Sequence, residues 1–146
     1  MNTPSFLPPS TNSAYHGSPV AAYFLTFLAV TTIGPGLIHS FLPDGGAGVI
    51  AGMDLSGKGA AIVGVFAWAG ATQIVWGLAL LAGSLRYRSL VPALLALVTL
   101  ERALIALNLW VLKGAPSGHR PPEAWATLIS LPLLLGALRM SRRRAR

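Results

Sequence analysis

Glu101 and Arg102 are neighbours of opposite sign inside an otherwise apolar stretch, Leu90 to Leu112. A single charge at the centre of a membrane helix costs about 2.5–3.5 kcal/mol or more, so such residues persist only with partners or with a task. Helical rise puts both about halfway along that stretch. Thr31 and Thr32 fall at the same level of an earlier apolar run, and Thr72 and Gln73 at the same level of another. Together they form an expected polar belt, able to hydrogen-bond between helices and fix their register. Because adjacent helix positions point about 100° apart, Glu101 and Arg102 are expected to share these polar neighbours rather than pair privately.

The helical period also assigns faces. Ala96, Thr99, Ala103 and Ala106 share a narrow face suited to close packing, while Glu101 and Asn108 lie roughly opposite with Leu94, Leu97 and Leu104. If the small face turns inward, Glu101 and Asn108 look towards a cleft, another subunit or a bound amphiphile. In the preceding run, Ala69, Gln73 and Gly77 recur at spacing four beside Gly70, a second small face expected to meet another helix closely.

Other chemistry is sparse. The chain has 3 histidines, His16, His39 and His119, and of these only His39 borders an apolar run. A bis-histidine haem needs two facing histidines at similar depth, and that pair is absent. His39 with Asp44 and Asp54 has unspecific spacing, so no metal site is expected. With 0 cysteines, disulfides, thiol catalysis, iron–sulfur clusters and cysteine zinc sites are excluded. No Ser-His-Asp grouping or phosphate loop occurs, and no catalytic residue is assigned.

The elements that must carry these residues follow from composition. Of the 146 residues, 53% are hydrophobic and only 10% charged, with a mean hydropathy of +0.63. Soluble domains carry about 25% charged residues, so this chain cannot cover a water-facing exterior and needs lipid as solvent. Four apolar runs span about Val20–Leu42, Gly59–Gly83, Leu90–Leu112 and Ala124–Met140. A helix needs about 20 apolar residues to cross a bilayer, so the fourth is marginal. Backbone in lipid must satisfy itself, which makes each run a helix. The expected fold is all-α, a four-transmembrane-helix bundle over residues 20–141, with a tail at 1–19 and a basic tail at 142–146.

Residues 1–19 contain no Lys or Arg and lack the basic start of a secretory signal. An even number of spans places both termini on one side. That side receives Arg86, Arg88, Arg139, Arg142, Arg143, Arg144 and Arg146, against Lys58, Lys113 and Arg120 on the other. The bias predicts cytoplasmic termini and a multi-pass protein of the cell inner (cytoplasmic) membrane. The formal charge of +7 therefore reads as a clamp on anionic lipid, not on nucleic acid. Trp110 and Trp125 are expected at the opposite boundary, and Pro35, between Gly34 and Gly36, is expected to kink the first helix.

Ala69-Gly70-Ala71-Thr72-Gln73-Ile74-Val75-Trp76-Gly77-Leu78, followed by Leu80-Leu81-Ala82-Gly83, resembles the DoxX-like family of small four-helix integral membrane proteins. There a Glu or Gln precedes a Gly-Leu-Leu run in the second helix. Gly34-Pro35-Gly36-Leu37 is similar to that group as well, and the likeness covers most of residues 20–112. Gln73 stands where the family often has Glu, which argues against a proton-linked role at that position. The resemblance implies a subunit or partner of a membrane redox complex. The expected function is thus a non-enzymatic subunit docking with other membrane-protein subunits, or binding a hydrophobic cofactor such as a quinone or pigment. The alternative is a small membrane enzyme or carrier acting on a lipid-soluble substrate through Glu101 and Arg102.

Overall fold

The computed structural model describes residues 6–113, 120 and 122–142. Arg143, Arg144 and Arg146 of the basic tail, and His119 of the last loop, lie outside the described residues. Four helices carry the fold: α1 (Pro19–Phe41), α2 (Gly59–Leu85), α3 (Val91–Leu107) and α4 (Pro122–Ser141). A π-helical turn, Asn108–Leu112, continues α3, and no strand occurs among the described residues. Pro19–Phe41, Gly59–Leu85, Arg88–Leu112 and Pro122–Ser141 are each long and apolar enough to cross a membrane. The marginal fourth run lengthens to 20 residues because Ser141 joins its end and Pro122 and Glu123 its first turn, where a ring with no N–H and a carboxylate near the positive helix end both fit.

Local signals explain the helix ends. The Ser18 hydroxyl accepts from Val20 N–H at 3.3 Å, and Pro19 opens α1 with its φ already helical. The helix runs through Pro35 to Phe41 and stops where Leu42 turns extended ahead of Pro43. The Ser18 N–H donates to the Met140 carbonyl at 3.2 Å, so the start of α1 sits beside the end of α4. The start of α1 and the end of α4 therefore share one end, the terminal face; the opposite end is the loop face.

Glycine sets the close approach of α1 to α2. A Cβ on Gly77 would lie 2.5 Å from Ile33 Cγ1, and one on Gly70 only 2.7 Å from the Gly36 carbonyl oxygen. Bare backbone at these positions lets α1 and α2 run together along most of their length, which suits helix association in lipid, where close van der Waals contact replaces the hydrophobic drive. The buried core, by contrast, gathers near the terminal face: Ala22, Leu25 and Ala29 of α1, Leu80 of α2, Val91, Leu95 and Val98 of α3, Leu134 and Ala137 of α4. Towards the loop face, the α1–α2 pair and the α3–α4 pair part company.

The inward side of α3 differs from the sequence expectation. Val91, Leu95, Val98 and Ala106 are buried and Arg102 half-buried, whereas Ala96 and Ala103 are exposed. Of the expected small face, Ala106 is thus buried and Thr99 half-buried, while Ala96 and Ala103 turn outward.

Candidate functional site

The parting of α2 from α3 leaves a lateral cleft of about 1250 Å³ at mid-helix depth. Its walls are apolar, with Trp68, Val75 and Trp76 on α2 and Leu97, Leu100 and Leu104 on α3. Three polar side chains interrupt them: Thr72, Gln73 and Glu101. The cleft opens sideways, as the 74% exposure of Trp68 and 69% of Val75 attest. In a bilayer that opening faces lipid tails.

Thr72 is already satisfied, its hydroxyl donating to the Trp68 carbonyl at 3.2 Å one turn back. Gln73 is not. Its Oε1 is buried with no hydrogen-bond partner. Glu101, on the facing helix, is half-buried and has neither hydrogen bond nor ion pair among the described residues. An amide oxygen shielded without a partner costs about 1–3 kcal/mol on protein scales. A carboxyl and an amide, both unspent, therefore line one apolar cavity between two indoles.

Arg102 takes a different path from its neighbour. Its side chain, 18% exposed, forms a salt bridge with Glu123 in the first turn of α4. The 100° step between adjacent helix positions sends Glu101 to the α2 side and Arg102 to the α4 side. The length of the arginine then lets its head reach towards the loop face. Beside the bridge, the Trp110 and Trp125 rings meet edge to face at 4.9 Å, and Trp110 Nε1 donates to the Ala124 carbonyl at 3.2 Å. The Arg120 guanidinium covers the Trp110 ring at 4.1 Å and donates to the Leu109 carbonyl. This cluster ties the end of α3 to the start of α4.

The expected polar belt does not assemble. Thr31 is exposed and returns its hydroxyl to the Phe27 and Leu28 carbonyls of its own helix, at 3.0 and 3.2 Å. Thr32 is buried against α2 without touching Glu101 or Arg102 through a hydrogen bond. Asn108 donates to the Leu104 carbonyl at 2.9 Å, inside its own helix, and is not part of the cleft wall. Local carbonyls one turn away outcompete partners across a gap, because the side chain reaches them at no cost in ordering. Thr72, Gln73 and Glu101 are the belt members that the structure brings to one cavity, and of these Gln73 and Glu101 are without hydrogen-bond partners among the described residues.

His39 serves the loop after α1. Its Nδ1 lies 2.6 Å from the Gly45 carbonyl oxygen and its ring stands edge-on to Phe66 at 5.0 Å. Gly45, with a φ of +61°, adopts a turn that a side chain would strain. Asp44 accepts from the Gly46, Gly48 and Val49 amides at 2.8–3.1 Å, and these donors hold its carboxyl below the usual range. Among the described residues no group of three His, Cys, Asp or Glu could hold a metal.

Sequence reasoning passed over Glu123 as the partner of Arg102, and Trp68 and Trp76 as cleft walls. The signal for Glu123 lies in the arithmetic of charge. The chain has four acidic residues, and only Glu123 besides Glu101 sits on a helix that neighbours Arg102. Fold and site together are those of an all-helical protein with four helices long and apolar enough to cross a membrane and a lateral, partly polar cleft. Comparison with protein-family models, with curated proteins and with solved structures gave no match.

Proposed function

We propose that this protein is a multi-pass component of the cell inner membrane, with cytoplasmic termini, that holds the polar head of a lipid-soluble ligand such as a quinone or pigment in the α2–α3 cleft. It does so as a non-enzymatic subunit of a larger membrane assembly, of the redox or energy-converting kind. The observation that carries this reading is that Gln73 and Glu101, both without hydrogen-bond partners among the described residues, line one apolar cavity with Trp68 and Trp76.

A quinone carbonyl can accept from the Gln73 amide, and a hydroxylated ring can bond the Glu101 carboxyl. Flat rings favour offset contact with indoles at a few ångströms. The cavity, about 1250 Å³, exceeds the usual range for small ligands and leaves room for a ring with part of a chain. Lateral opening suits a ligand that arrives through the lipid. Support for the subunit role comes from Ala96 and Ala103, a small face on α3 left uncovered, where a partner helix could approach closely. The enzyme or carrier reading has less support, because Arg102 is engaged by Glu123 and Glu101 faces another gap.

The test uses Trp110→Phe/Trp125→Phe protein in neutral detergent, leaving Trp68 and Trp76 as reporters. A short-chain quinone should quench their emission saturably, and Gln73→Leu with Glu101→Ala should weaken binding at least about tenfold, the loss of one charge-assisted or two ordinary hydrogen bonds. Quenching that is linear, or indifferent to both substitutions, would sink the ligand assignment. Reporter fusions after residue 50 and at the C-terminus should fall on opposite sides of the membrane, with the second cytoplasmic.

A further inference from the structure

At the terminal face the arginines divide into two kinds. Arg86 donates to the Pro8 carbonyl at 3.1 Å and to the Tyr87 hydroxyl at 3.2 Å. Arg88 donates to the Ser84 carbonyl at 3.1 Å and lies over the Tyr23 ring. Arg86, with the Arg88 N–H that donates to Asn12 Oδ1 at 3.2 Å, straps residues 8–12 to the α2–α3 turn. Arg139 and Arg142 have no hydrogen bond, ion pair or ring partner among the described residues. They flank a cavity of about 380 Å³ whose remaining walls are Leu135 and Leu138.

We infer that this cavity is a binding site for an anionic phospholipid, with the phosphate held between Arg139 and Arg142 and the acyl chains laid along Leu135 and Leu138. The spacing supports it. Leu138 and Arg139 lie three and four residues after Leu135, and Arg142 four and three after them, so the four share one side of α4 as it ends. Two guanidiniums at the rim above two leucines match a headgroup above its hydrocarbon. Basic pockets at this level of a helix bundle are where phosphate headgroups are recognised, and arginine can engage phosphate through two parallel N–H donors.

Charge complementarity is unopposed here. The four acidic residues of the chain, Asp44, Asp54, Glu101 and Glu123, all belong to the loop face or to mid-membrane depth, so none neutralises this rim. The site is also held in place. The Met140 carbonyl accepts from the Ser18 N–H at 3.2 Å, tying the end of α4 to the start of α1, and the buried Ser141 hydroxyl closes the last turn of α4 on the Leu138 carbonyl at 2.8 Å. A free phosphate would meet the two arginines but gain nothing from the leucines, so the lipid is the occupant.

The experiment is native mass spectrometry of the full chain, delipidated in neutral detergent and then offered phosphatidylglycerol, phosphatidylcholine or inorganic phosphate. Phosphatidylglycerol should be retained at one equivalent, the other two not. Arg139→Gln/Arg142→Gln should weaken retention about thirtyfold, since each basic residue near an anionic surface contributes about 1 kcal/mol. Arg139→Lys/Arg142→Lys should recover most of it, and circular dichroism should show unchanged helicity in both. Replacing Arg143, Arg144 and Arg146 by Gln should leave the single tight equivalent in place. Equal retention of phosphatidylcholine, equal occupancy by inorganic phosphate, or a tail variant that loses as much as Arg139→Gln/Arg142→Gln would each overturn the assignment. The headgroup comparison on unmodified protein needs no variant to fold, and it fails or succeeds independently of the α2–α3 cleft.

Discussion

Adding one methyl group to each glycine in turn should separate the helix-packing face from the lipid face. At Gly70 a new Cβ would lie 2.7 Å from the Gly36 carbonyl oxygen, 2.7 Å from Ser40 Oγ and 2.8 Å from His39 Cβ. Two of these neighbours are backbone or adjoin it, so α1 must move as a body. At Gly77 the nearest atom is Ile33 Cγ1 at 2.5 Å, which rotation can relieve, with the Ala29 carbonyl oxygen at 3.1 Å behind it. At Gly64 and Gly136 nothing lies within 4 Å.

Overpacking typically costs about 1–3 kcal/mol, while Gly→Ala inside a helix returns about 1 kcal/mol of propensity. Gly70→Ala should therefore lose about 2 kcal/mol net, Gly77→Ala about 1 kcal/mol, and Gly64→Ala and Gly136→Ala should each gain between about 0.5 and 1 kcal/mol. The assay is reversible unfolding in mixed micelles as the fraction of denaturing detergent rises, followed by helical circular dichroism. A Gly70→Ala protein as stable as Gly64→Ala would show that α1 and α2 are not in backbone contact at that level. Gly77→Leu should be worse than Gly77→Ala, because a branched side chain cannot fit beside Ile33.

Two further outcomes follow from the charges. Glu123→Gln leaves Arg102 with its side chain largely shielded and no counter-charge. It should cost about 1–3 kcal/mol, below the value for a fully buried pair because Glu123 is half exposed, and Arg102→Leu/Glu123→Leu should be more stable than Glu123→Gln alone. The reverse ranking in the same micelle titration would refute the bridge. For Asp44, three backbone donors lower the folded carboxyl below its usual value near 3.8. Its contribution to the loop is then present above that value and disappears as pH falls through the lowered folded one. Proteolysis within residues 44–53 should stay slow from neutral pH down to about 4 and accelerate below it, and Asp44→Asn should be cut readily throughout. A loop in Asp44→Asn protein that resists protease as the unmodified chain does would refute this role.

The amino-acid sequence alone determines that there are four helices long and apolar enough to span a membrane, because length and apolar content are summed along the chain and need no partner. It marks α1 by Ser18 and Pro19 and ends it before Pro43, since caps and proline act within a few residues. It also singles out Gly70 and Gly77, because small residues at helical spacing carry their meaning in one dimension. Which way each helix turns is another matter. Lipid is as apolar as leucine, so no hydrophobic contrast marks the inward side of a membrane helix. The choice between Ala96 and Val98 as the inward residue of α3 is made by how the other helices pack around it, a property of all the helices at once. The same rotation decides that Arg102 meets Glu123, 21 positions away, while Glu101 shares a cavity with Gln73. Adjacent in the sequence, the two charges part because a helix turns 100° per residue, and only the arrangement of the neighbours says what lies at the end of each direction.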